Sequence, residues 1–258
     1  MKPLTQIITV IALTLPLTPA DAHFHMLFPD PKPKEPVKPG DKVGFVYRWG
    51  HPFEHELFDA PEPGEVSVFS PSGAEEKITD FKKLKDKPIA YRFEYQLPKG
   101  SQGLGNYVFA MKAPQVLLDG EIVCKDSIKV VVHVGDSNEG WDQTVGLPFE
   151  LVPLTRPYGL EPGMVFQAQA LYEKKPLAGA LVEVERYNDA EPKEKPPNEQ
   201  RTRVVKTDPN GVLTCTLTDP GWWCITAQQD AGKVKHDDGK QYPLQLRTTF
   251  WVYVDPKH

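Results

Sequence analysis

The side chains best equipped for chemistry in this chain are its histidines. There are seven, and four of them, His23, His25, His51 and His55, fall between positions 23 and 55, with Glu54 and Glu56 flanking the last. Imidazole is the commonest metal ligand and binds nickel, copper, zinc and cobalt. His23 and His25 share one face of an extended segment, about 6.6 Å apart along it, a gap that two imidazoles can close around one ion. His51 and His55 are about 13 Å apart along a straight strand, too far for shared ligation unless the chain bends at Gly50 and Pro52. His23, His25, His51, His55 and Glu54 are therefore the candidate metal ligands. The bland alternative for the first pair is a strand burying Phe24, Met26 and Phe28, with the histidines facing solvent. His133, inside IKVVVHV, reads as a packed strand residue. His236, in a charged loop, and the terminal His258 read as incidental.

The segment before the first pair reads as a signal peptide, residues 1–22. Lys2 supplies a positive start, Ile7 to Leu17 is a short apolar stretch, and Ala20-Asp21-Ala22 is a small-x-small cleavage site. No cysteine follows that site, so a lipoprotein anchor is not indicated. Cleavage after Ala22 would start the mature chain at His23, where the α-amine and the His23 ring form a chelate. Cleavage after Ala20 would make His23 the third residue. An amine, two backbone nitrogens and that imidazole then suit square-planar Cu(II) or Ni(II). The expectation is a periplasmic or extracellular protein, not membrane-spanning after cleavage.

Composition narrows the remaining classes. The chain has 258 residues, a formal net charge of −5, 25% charged and 40% hydrophobic residues. A pI near 5.8 gives no overall basic surface for nucleic acid. No Ser-His-Asp, Cys-His, phosphate-loop or dinucleotide motif stands out. The 27 prolines and 19 glycines are spread without a repeat, which excludes collagen and argues against long helices, since an interior proline costs about 3 kcal/mol.

The elements that must position the histidines are therefore short strands. Twelve segments carry β-branched or aromatic alternation, among them Val43 to Trp49, Ile128 to Val134, Ala180 to Arg186, Trp222 to Gln228 and Thr248 to Val254, with Pro-Gly and Pro-Asn-Gly turns between them. The expected fold is all-β, two tandem β-sandwiches. Gly135 to Gly146 reads as the linker, so the expected domains are 23–140, with the histidine cluster, and 141–258. Lys82 to Lys87 and Asn188 to Gln200 read as solvated loops. Cys215 and Cys224 flank the turn Thr218-Asp219-Pro220-Gly221. If that turn closes a hairpin the two are directly opposed, which makes a disulfide a candidate, whereas Cys124 has no obvious partner. Trp222 and Trp223 should point to opposite faces of one strand, one of them into the core.

Two resemblances add to this reading. Lys175-Pro-Leu-Ala-Gly-Ala-Leu-Val-Glu-Val184, Thr207-Asp-Pro-Asn-Gly211 and Asp219-Pro-Gly-Trp-Trp223 resemble the prealbumin-like, carboxypeptidase-regulatory type of β-sandwich, which implies a fold and almost nothing of function. The whole mature chain, through Arg48-Trp-Gly-His-Pro-Phe-Glu54, Gly105-Asn-Tyr-Val108, Pro157-Tyr-Gly-Leu-Glu-Pro-Gly163 and Pro220-Gly-Trp-Trp223, resembles the secreted domain-of-unknown-function family of NikM-type periplasmic components of nickel/cobalt uptake systems. That resemblance implies a periplasmic binder of Ni(II) or Co(II), with His23 and His51 at the matching positions and a membrane transporter as partner. The chain departs from the pattern at Cys224, where glycine is expected, and His25 and His55 sit where no fixed residue is expected. Cu(II) and Zn(II) remain alternatives for the metal. Rival readings are an exported structural or interaction protein without metal, and a copper oxidase using an N-terminal histidine brace; the expectation is that the chain is not an enzyme.

Overall fold

The computed structural model describes residues 23–30 and 36–257; the expected signal peptide and His258 lie outside the described residues. The chain is all-β, arranged as three sheets. Its strands in chain order are β1 (Phe24–Pro29), β2 (Lys42–His51), β3 (Glu56–Phe58), β4 (Glu65–Phe69), β5 (Glu75–Ile78), β6 (Lys82–Lys83), β7 (Tyr91–Gln96), β8 (Gly105–Lys112), β9 (Val116–Leu118) and β10 (Ile122–Val134). The second half adds β11 (Phe149–Pro153), β12 (Met164–Tyr172), β13 (Lys175–Pro176), β14 (Leu181–Arg186), β15 (Thr202–Lys206), β16 (Val212–Leu217), β17 (Gly221–Lys235) and β18 (Gln241–Val254).

An N-terminal sheet runs β1-β2-β7-β6, with β3 added to β2. A second sheet is built from β11, β12, β13 and β16. Between them lies a nine-stranded sheet, β15-β14-β17-β18-β10-β8-β4-β5, with β9 on β10. This central sheet draws from both halves of the chain, joined where β18 pairs in parallel with β10, Trp251 opposite Val130. Strands covered on both faces lose the polar half of their alternation. Accordingly Trp223, Ile225, Phe250 and Val252 enter the core shared with the β11–β12–β16 sheet. Cys224 and Trp251, one position along, enter the core shared with the N-terminal sheet.

The expected linker is pinned rather than loose. Gln143 donates Nε2 to Ser70 O at 3.1 Å, and Asn106 donates Nδ2 to Glu139 O at 2.9 Å. Beneath it, Lys129 of β10 meets Glu150 of β11 at 2.6 Å, both buried. Burial lowers the Lys129 pKa, and the facing carboxylate pulls it back. His133 packs as a strand residue, stacked on Tyr158 at 3.8 Å and 8°.

The cysteine reading requires correction. The expected 215–224 hairpin does not form: β16 pairs with β12, whereas β17 pairs with β14 and β18. Cys215 and Cys224 are buried free thiols in opposite cores. The turn at 218–221 crosses between layers instead of folding back within one, so the two thiols part company. Of the two tryptophans beside it, Trp223 fills a core at 1% exposure, and Trp222 faces the other way and stacks on Phe28 at 4.8 Å.

Candidate metal centre

The site begins with a register. β1 and β2 run antiparallel with Phe24 opposite Gly50 and His25 opposite Trp49, so one further step sets His23 against His51. Their rings meet edge to face, centroids 4.7 Å apart at 71°. Trp49 lies 5.3 Å from the His23 ring, and Phe58 of β3 lies 5.0 Å from His23 and 5.4 Å from His51. Gly50 makes the β2–β3 approach possible. At its φ of +150° a Cβ would stand 2.1 Å from Glu56 O, a collision no side chain survives.

That hairpin places Glu56 opposite His51, with Oε2 3.5 Å from Nδ1. A carboxylate on that side of the ring favours the tautomer with the proton on Nδ1 and the lone pair on Nε2. Nε2 of His51 is buried and has no hydrogen-bond partner among the described residues, and the same holds for Trp49 Nε1.

His25 differs from this pair throughout. It is 2% exposed and both ring nitrogens are occupied. Nδ1 lies 2.7 Å from the Tyr47 hydroxyl and Nε2 3.5 Å from Asp126 Oδ2. Asp126 in turn receives Arg247 Nε at 2.8 Å and Nη2 at 2.5 Å, a two-pronged buried pair. With Nε2–H facing the carboxylate, Nδ1 accepts the Tyr47 proton. Burial lowers the His25 pKa to about 4, the Asp126 charge opposing and Arg247 assisting. His25 is thereby a neutral core residue, and neither the expected ligand role nor the solvent-facing alternative describes it.

Glu54 and His55 also turn away from the pair. His55 takes a left-handed conformation, φ +52°, and its Nδ1 donates to Asn188 O at 2.7 Å. Glu54 forms an ion pair with Arg201. The whole turn 52–55 hangs from the second half of the chain. Phe53 N donates to Glu185 Oε1 at 2.8 Å, Asn188 N to Pro52 O at 3.0 Å, and Asn188 Nδ2 to Phe53 O at 2.6 Å. The start of the segment read as a solvated loop is thus a clasp on the turn that follows His51. Glu185, also bonded by Thr202 Oγ1 at 2.6 Å, is pushed by burial up to about 7, its two hydrogen-bond donors pulling the other way.

The structure therefore brings His23 and His51 together and separates His25, His55 and Glu54 from them. Among the described residues no group of three or more His, Cys, Asp or Glu side chains could hold a metal ion. Sequence reading passed over Tyr47, Asp126, Arg247, Glu185 and Asn188. Three of these announce themselves in retrospect as charges inside largely apolar strands: Asp126 in IVCKDSIKVVV, Arg247 in LQLRTTF and Glu185 in LVEVER. Such a charge is affordable only with a buried partner.

A three-sheet β-sandwich carrying this histidine pair matches a known family over residues 20–231, the one described as a domain of unknown function, DUF4198. The chain belongs to that family. No curated protein matches it. Solved structures with some likeness include the native conformation of E. coli alpha-2-macroglobulin, at 14% identity and a TM-score of 0.28 over 90% of this chain. Another is Bacteroides uniformis beta-glucuronidase 3, at 16% identity and 0.23 over 90%. The tandem Ig repeats of Dlar match at 11% identity and 0.24 over 92% of this chain and 100% of theirs. The chain covers only 14% of the length of the first and 25% of the second. Among the described residues no helix is long and apolar enough to cross a membrane.

Proposed function

We propose that this chain is an exported carrier of a divalent late transition-metal ion, held between His23 and His51 and handed to a membrane transporter. The observation that carries the reading is the His51 ring: Nδ1 faces Glu56, and Nε2 is buried without a hydrogen-bond partner among the described residues beside the His23 ring, 4.7 Å away. A buried acceptor left unmade costs about 1–3 kcal/mol, and an ion bound at Nε2 would relieve that cost. The carboxylate on the opposite ring nitrogen is the arrangement that orients metal-binding imidazoles. The family resemblance points the same way, to His23 and His51 and to nickel or cobalt.

The donor set is nitrogen throughout, two imidazoles and, in a chain cut after Ala22, the α-amine that chelates with the His23 ring. Affinity of such a set rises from cobalt through nickel to copper, so geometry and supply must select the cargo. Trp49 and Phe58 wall the pair with apolar surface. Its role is carriage rather than catalysis.

The test is calorimetric titration of protein beginning at His23 with Ni(II), Co(II), Cu(II) and Zn(II). One ion should bind per chain, with affinity falling about a hundredfold or more in His51→Ala and in His23→Ala, the loss of one coordinating nitrogen. Absence of binding, or binding unchanged in both variants, overturns the reading.

A further inference from the structure

Beside the turn 52–55 the structure holds a second recessed surface, an open cleft of about 500 Å³ whose lining includes Phe28, Arg48, His55, Arg186, Tyr187 and Trp222. One wall is aromatic. Phe28 and Trp222 stack at 4.8 Å and 20°, Tyr187 meets Phe28 edge-on at 5.1 Å, and Tyr253 meets Trp222 edge-on at 5.1 Å. These rings pack against one another, and the wall they form offers a flat, apolar surface on which another ring can lie.

The polar side of the cleft is built from guanidiniums whose charge is incompletely answered. Arg186 donates Nε to Pro220 O at 3.0 Å and Nη1 to Asn188 Oδ1 at 2.9 Å. Both acceptors are neutral, and Arg186 belongs to none of the ion pairs among the described residues. Arg48 gives Nη2 to Asp30, and its Nη1 is buried with no hydrogen-bond partner among the described residues. Of the two carboxylates in the lining, Asp30 is committed to Arg48, and Asp189 is exposed at the rim, where water screens it. A half-buried, fixed guanidinium fork selects a planar anion.

We propose that this cleft binds a small aromatic carboxylate, its carboxylate on Arg186 with Arg48 beside it and its ring against Trp222. The site uses neither His23 nor His51 and stands whether or not those residues bind metal. The guanidinium accounts for the charge of the ligand, and the aromatic wall for its ring. His55, pinned through Nδ1 to Asn188 O at 2.7 Å, contributes a fixed edge of the cleft.

The test uses phenylpropionate, its neutral amide, phenylethylamine and inorganic phosphate on the intact protein, read by calorimetry and by the NMR shifts of the Trp222 indole and Arg186 guanidinium. Phenylpropionate should shift both groups and bind at least about tenfold tighter than the amide, the amine or phosphate, the contribution of one charge-assisted contact. Arg186→Gln and Trp222→Leu should each weaken it at least about tenfold. Because Arg186 also braces Asn188, the acid-against-amide comparison on the unaltered protein stands independently of how that variant folds. No binding of the acid, equal binding of the amine or phosphate, or unchanged affinity in Arg186→Gln overturns the proposal.

Discussion

His25 and His51 lie on the same face of one sheet, on adjacent strands, with Trp49 opposite His25 and two positions from His51. Around His25 every polar group is answered: Tyr47 gives its proton to one nitrogen, Asp126 faces the other, and Arg247 grips Asp126 with two prongs. Around His51 one nitrogen faces Glu56 and the other faces nothing but rings. The difference shows how one residue type serves two ends. A histidine whose network closes is structure, and one whose network stays open by a single lone pair is poised for a ligand. Sequence spacing makes the two residues look alike. The partners of His25, each more than twenty positions away along the chain, separate them.

The largest consequence of that contrast is in stability. Asp126→Ala strands the Arg247 guanidinium and the His25 ring proton in a buried layer, and urea unfolding should show a loss of about 3–5 kcal/mol. His51→Ala, which removes an already unsatisfied group, should cost about 1 kcal/mol or less in the same experiment. Equal losses would erase the distinction.

The next consequence is a dependence on pH that the wild type conceals. The folded value of His25 lies near 4, below the ordinary 6.5. Its contribution of about 3 kcal/mol is full above pH 6.5 and is lost as pH falls toward 4, because the unfolded chain takes up the proton first. Glu185 runs the other way. Its folded value near 7 lies above the ordinary 4.5, so its contribution of similar size is full below pH 4.5 and is lost as pH rises through 7. Between pH 4.5 and 6.5 the two slopes oppose each other. Glu185→Gln should expose the His25 slope, stability rising by about 3 kcal/mol from pH 4 to 6.5. Glu183, also raised by burial, opposes the same slope, so a flat profile that persists when Glu183→Gln is added would mean His25 is not held neutral.

Much of this architecture is legible in the chain itself. The apolar alternation of segments such as Val43 to Trp49 and Thr248 to Val254 marks strands, whereas Gly50 reads as a bend and proves instead to be where the backbones of β2 and β3 come close. What alternation cannot reveal is which sheet a strand joins. β10 and β18 read as ordinary strands of separate sandwiches, and their parallel pairing across more than a hundred residues is decided by packing between layers. The same reason defeats the 215–224 hairpin, since Thr218-Asp219-Pro220-Gly221 looks the same whether it folds back or changes layer. At the site, the pairing of His23 with His51 was approachable from residue types and resemblance. The burial of His25 was not, because its causes, Tyr47, Asp126 and Arg247, lie on three other strands.

Two smaller effects sharpen the comparison. Tyr47→Phe takes away the proton given to His25 Nδ1 and should cost about 1–3 kcal/mol of stability, with the affinity for Ni(II) changed by less than about twofold. A large loss of affinity would join the two sites into one. The smallest effect concerns the thiols. A disulfide typically contributes about 2–4 kcal/mol, and with all three cysteines free, added reductant should leave the thermal midpoint unmoved. A fall in that midpoint would show that Cys215 and Cys224 meet after all.

The most direct measurement is the NMR spectrum of the ring nitrogens in histidine-labelled protein beginning at His23, titrated with Zn(II) as a diamagnetic probe. The account predicts that the His23 and His51 signals move together and saturate at one equivalent, while the His25 nitrogens hold the shifts of a neutral ring throughout. Movement of His25 in step with the metal, or a His51 signal that never moves, would contradict it.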